Sequence, residues 1–85
     1  MNQLVFSQRS LSYLARINRM LVKELGFQFS LSNREHLTEL LRASAVSPVS
    51  EIKQCFIEFA RDLNEKQRDY ISEMGVSLPQ PRRNH

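Results

Sequence analysis

Leu11, Leu14, Ile17, Leu21 and Leu25 recur at intervals of three and four residues, the spacing that gathers side chains on one face of an α-helix. Ala15 and Val22 flank the stripe. The pattern predicts an amphipathic helix over about residues 8–25, starting at Ser7 or Ser10 and stopped by Gly26, which suits a left-handed C-terminal cap. The period then changes. Phe27, Phe29 and Leu31 alternate with Gln28, Ser30 and Ser32, so in an extended chain the apolar side chains leave from one side and the polar ones from the other.

Ser32-Asn33-Arg34-Glu35 has the form of a capping box, with Ser32 at the cap and Glu35 reaching back. It opens a second helix over about 33–45 whose buried edge is Leu37, Leu40 and Leu41. Ser47-Pro48 restarts the chain with a hydroxyl cap followed by proline at the first helical position. Val49, Ile52, Phe56, Phe59, Ala60, Leu63, Tyr70, Ile71 and Met74 keep one face apolar as far as Gly75. This predicts a third helix over about 48–74, on the order of 40 Å long at 1.5 Å per residue. Pro79 and Pro81 mark 76–85 as a flexible tail. The expected architecture is mainly α: three amphipathic helices in a single domain over 1–75, with residues 27–31 either a connecting segment or a short strand that pairs with its own copy in a dimer.

At 85 residues the chain lies near the lower limit for a single core without disulfides, metal or a partner subunit. Self-association is therefore expected, with Phe27, Phe29, Leu31, Phe56, Phe59 and Leu63 as its candidate residues. Cys55 is the only cysteine, which excludes an internal disulfide and fits a reducing compartment. No apolar run approaches the roughly 20 residues needed to span a bilayer, so a cytoplasmic location is expected.

Catalytic chemistry has little to stand on. Glycine occurs only at 26 and 75, both cap positions, which leaves no phosphate-cradling loop. His36 and Glu39 share a helix face without a third ligand. Cys55 lies off the central apolar stripe with no histidine in its helix, and reads as a structural thiol. No enzyme activity, cofactor or metal is implied. Asn18 interrupts the first leucine face, either as a partly exposed edge residue or as a polar group fixing register in a paired interface.

The net charge is +3, and its distribution says more than the total. Arg9, Arg16 and Lys23 repeat every seven residues with Arg19 beside them, opposite the leucines, as a basic ridge. Glu51, Glu58, Asp62, Glu65, Asp69 and Glu73 fall within roughly 80° of one another on the third helix, as an acidic ridge. Such ridges are either solvated faces or surfaces that align copies of the chain and steer a charged partner. The stretch from Met1 to Lys23, rich in Arg and Ser and free of acids, also has the character of a mitochondrial presequence or of a helix resting on an anionic membrane. Both rank below a soluble module, because the chain beyond residue 26 is too short to make a robust core alone.

The segments "FQFSLS" and, after a helix, "SPVSEIKQCFIEF" resemble the ribbon-helix-helix repressors of the Arc and methionine repressor type. In that family a short strand pairs antiparallel with its copy and the ribbon lies in the DNA major groove. The resemblance implies that Phe29 and Leu31 face a dimer core, that Gln28, Ser30 and Ser32 turn toward base edges, and that backbone amides at 47–50 hold a phosphate. The alternative is a plain helical bundle in which Phe27, Phe29 and Leu31 plug the core from a connecting segment. The expected function is a small non-enzymatic regulatory module acting by macromolecular binding: first, a dimeric DNA-binding transcriptional regulator using Gln28, Ser30, Ser32, Arg9, Arg16, Arg19 and Lys23. The alternative function is a helical adaptor or inhibitor that binds protein and no nucleic acid.

Overall fold

The computed structural model describes residues 5–79, which form four helices: α1 (Gln8–Leu25), α2 (Arg34–Val46), α3 (Ser50–Arg61) and α4 (Glu65–Glu73). No strand occurs among the described residues, and residues 27–31 are a connecting segment. Leu14, Ile17 and Leu21 of α1 meet Ile52, Cys55, Phe56 and Phe59 of α3, while Leu37, Leu40 and Leu41 of α2 and Ile71 and Met74 complete one core. The ends of the first leucine stripe stay outside it, with Leu11 40% and Leu25 48% exposed.

The long third helix expected over 48–74 is two helices, and polar side chains explain the break. Asn64 starts α4 with a capping box, its side chain accepting from the Gln67 amide at 2.8 Å and its own amide donating to Gln67 Oε1 at 2.8 Å. Arg68 Nη1 donates to the Ala60 carbonyl at 2.8 Å, answering one of the acceptors that the end of α3 exposes. Asp62, the C-cap of α3, turns its carboxylate onto the start of α1, where it accepts from Ser7 Oγ at 2.5 Å and Ser10 Oγ at 2.6 Å. The first turn of α1 has no acid of its own, so Asp62 brings negative charge to that positive helix end from elsewhere in the chain. The acidic ridge is accordingly not continuous: it is interrupted at 62–64.

Two caps also differ from expectation. Asn33, not Ser32, caps α2, accepting from the amides of Glu35 at 2.9 Å and His36 at 3.1 Å; Ser32 Oγ instead lies 3.2 Å from Ser30 Oγ. Ser47 ends α2 rather than opening α3, because its hydroxyl accepts from the Val49 amide at 3.1 Å in a local turn. Helix α3 thus begins beyond Pro48, with Val49 at its cap and no side-chain cap bond. Gly26 does adopt the left-handed cap, at φ 83°.

Residues 76–79, expected in the tail, pack against the helices. Val76 is buried and Leu78 packs on the core, while Arg42 Nη2 donates to the Met74 carbonyl at 3.0 Å and Arg68 Nη2 donates to the Pro79 carbonyl. The remainder of the expected tail, 80–85, lies outside the described residues, as do residues 1–4. Of the residues expected at a dimer interface, Phe29, Phe56, Phe59 and Leu63 are buried in the core of a single chain. The helices of one chain cover these side chains without a second copy, leaving Phe27 exposed and Leu31 half-buried.

The hydroxyls of Ser10 and Ser7 hold the Asp62 carboxyl below its ordinary value of 3.8. A carboxyl lowered on folding stabilises fully above its unfolded value, and the contribution is lost as pH falls through the folded one. Asp62→Asn should therefore lower stability by about 1 kcal/mol at neutral pH. In urea titrations the gap from the parent chain should close below a pH of about 3.8.

Candidate nucleic-acid interface

Asn18 is buried in the leucine face of α1, where an amide needs partners for both its donor and its acceptor. The segment 27–31 supplies them from one residue: Asn18 Nδ2 donates to the Phe29 carbonyl at 2.8 Å, and the Phe29 amide donates to Asn18 Oδ1 at 3.1 Å. One residue further, the Ser30 amide donates to His36 Nδ1 at 2.9 Å. Asn18 is thus neither an edge residue nor a register group between copies. It is a bond between α1 and the following segment of the same chain.

Asn18 holds the backbone of Phe29 and His36 that of Ser30. The Phe29 ring is buried, and the His36 ring meets it edge-on at a centroid distance of 6.2 Å. The Phe27 ring rests against Phe29 at 4.8 Å while 52% of the residue stays exposed.

Pinning this segment beside α1 creates an open groove. Arg19 and Lys23 line one wall, about 6 Å apart along the helix axis. Gln28, Ser30 and Leu31 line the other, with Asn18 and Phe29 between them. Ser32 is exposed but outside the lining, linked to it through Ser30 Oγ.

The fold divides the basic ridge. Arg9 lies close enough to Asp62 to help lower its carboxyl. Arg16 shares a different groove, between α1 and α3, with Glu51 and Glu58. Positive charge at Arg9 and Arg16 is thereby answered by acids of α3 and its cap. Among the described residues the one ion pair joins Arg61 to Glu58 at 3.9 Å; Arg19 and Lys23 line a groove that holds no acid.

Other candidate chemistry is structural. Burial pushes the Cys55 thiol up, with Arg16 pulling the other way and Glu58 adding to the rise; its Sγ donates to the Tyr13 carbonyl at 3.5 Å. A thiol kept protonated is a poor nucleophile. Among the described residues no three His, Cys, Asp or Glu side chains are grouped as a metal site. Of the amides at 47–50 implied as a phosphate nest, Ser47 N donates to the Ser44 carbonyl and Val49 N to Ser47 Oγ, and Pro48 has none, which leaves only that of Ser50.

Two polar residues given no role in the sequence expectations join distant elements. Gln67 accepts from Asn64 N and donates through Nε2 to the Val5 carbonyl at 2.8 Å. Arg34 stacks over the Tyr70 ring at 5.3 Å, joining the start of α2 to α4. The signal available for Gln67 is the Asn-x-x-Gln spacing that starts α4. Among the described residues no helix is long and apolar enough to cross a membrane.

No protein-family model matches the chain, and neither a curated protein nor a solved structure shows similarity to it.

Asn18→Ala would leave the Phe29 amide and carbonyl buried without partners, at a cost of about 2–3 kcal/mol. Urea denaturation should report that loss. Under conditions where the variant remains folded, the Phe29 amide should lose its protection from hydrogen exchange while amides in the middle of α3 keep theirs.

Proposed function

We propose that this chain is a small non-enzymatic regulatory module that binds nucleic acid, DNA first, through the groove between α1 and residues 27–32. The observation that carries the reading is the convergence of Arg19 and Lys23 with Gln28 and Ser30 on one groove. Guanidinium and ammonium groups supply the phosphate attraction, and amide and hydroxyl groups supply donors and acceptors for base edges. Both halves come from residues with no partner in the core, because Asn18 holds the segment by its backbone and leaves the polar side chains exposed.

Two neighbouring observations narrow the partner. The apolar face of α1 is spent inside the core at Leu14, Ile17 and Leu21, so that only Leu11 and Leu25 at its ends are left for a membrane surface. A paired ribbon would first have to release Phe29 from Asn18 and Ser30 from His36. The contact is therefore assigned to a groove within one chain rather than to a strand shared between two.

A second reading, a helical protein-interaction module with no nucleic-acid binding, is favoured by the exposure of Leu25 and Phe27 at the same end of α1. The two readings differ in their response to salt. If the groove binds DNA, Arg19→Gln with Lys23→Gln should weaken binding of a labelled oligonucleotide and reduce the slope of log K against log salt by about 2. The paired change Arg9→Gln with Arg16→Gln should have a smaller effect, since acids already face those cations. Fluorescence anisotropy across a salt series checks both, and the absence of any salt-dependent binding by the parent chain assigns the surface to a protein partner.

A further inference from the structure

Phe27 has no packing reason to be as exposed as it is. The chain turns out of α1 at Gly26 in the left-handed conformation, and Phe27 comes to rest with its ring 4.8 Å from the buried ring of Phe29. Phe29 is itself fixed by Asn18 through two backbone hydrogen bonds. The result is an aromatic ring packed at a tilt of 56° against a buried one, with about half of the residue open to solvent. It stands next to the residue that lies between Arg19 and Lys23 on one wall and Gln28 and Ser30 on the other.

We infer that the groove takes a single strand of nucleic acid with unpaired bases, one of which stacks on Phe27. The inference rests on the nucleic-acid reading above and names the substrate class of the same site. Three features support a single strand over a duplex. A base inside a duplex has both faces covered by its neighbours, so an exposed aromatic ring has nothing to stack on unless the base is unpaired. The site is a concavity between a helix and a segment tied down to that helix, which suits a strand lying within it; major-groove reading requires an element that projects. Finally, two cations and no acid line the groove, the cations about 6 Å apart along α1, which matches adjacent phosphates of a short strand. Phosphates meet Arg19 and Lys23, one base meets Phe27, and Gln28 and Ser30 contact the edges of the bases between.

The test compares two labelled probes in fluorescence anisotropy at low salt: a ten-residue oligodeoxythymidine and a hairpin duplex with the same number of paired thymidines. The single strand is expected to bind at least ten-fold more tightly than the duplex. Phe27→Ala should weaken single-strand binding about ten-fold, leave the weaker duplex binding unchanged, and leave the thermal unfolding of this half-exposed position close to that of the parent. Phe27→Tyr should retain single-strand binding, and Phe27→Trp should show quenching of its fluorescence when the strand is added. Equal affinity for the two probes, or no loss in Phe27→Ala, overturns the single-strand assignment while a loss in the Arg19 and Lys23 variants keeps the nucleic-acid reading. No binding of either probe overturns both.

Discussion

The structure turns on a side chain placed against the local pattern. Asn18 sits where a leucine would continue the apolar stripe of α1, and an unpartnered amide there would be costly. It is tolerated because Phe29 returns one donor and one acceptor at the right spacing. That exchange fixes the path of the chain after α1 and seals the core with the Phe29 ring. It also leaves Phe27, Gln28 and Ser30 on the outside beside Arg19 and Lys23. The candidate site is thus a by-product of satisfying one buried amide.

The rest of the fold follows the same economy at its helix ends. Four short helices expose many unpaired backbone groups, and the chain answers them with side chains from distant elements. Asp62 closes on the start of α1, Arg68 on the ends of α3 and the C-terminal segment, Arg42 on the end of α4, and Gln67 on the strand of chain before α1. Each of these bonds joins two elements, and those of Arg68 to Ala60 and Arg42 to Met74 also answer a carbonyl at a helix end. A core this small gains coherence from them, since burial alone contributes little at this chain length.

Much of the helical content was legible in the sequence. The extent of α1, its Gly26 cap, the buried edge of Leu37, Leu40 and Leu41, and the apolar set from Ile52 to Met74 can all be read from spacing. The break at 62–64 was not, because Leu63 carries the apolar period straight across it; the Asp-Leu-Asn sequence there prefers caps, but that preference is local and weak beside nine well-spaced apolar residues. Asn33 prevailed over Ser32 by a margin of one residue, which capping-box spacing does not decide. The pairing of Asn18 with Phe29 leaves no trace in local pattern, since either residue alone has ordinary explanations. The basic ridge was visible as a set of residues; its division between acids of α3 and the open groove depends on how α1 packs.

The central claim is that Phe29 is bonded to Asn18 of its own chain. Isotope-filtered NMR on a mixture of labelled and unlabelled chains tests it most directly, by asking whether the Asn18 side-chain amide protons and the Phe29 amide proton show their cross-peaks within one chain or between chains. The account predicts strong intramolecular cross-peaks between these groups and none between chains across residues 27–31. Cross-peaks between the backbones of Phe29 in two different chains, with those to Asn18 missing, would establish a paired ribbon and contradict it.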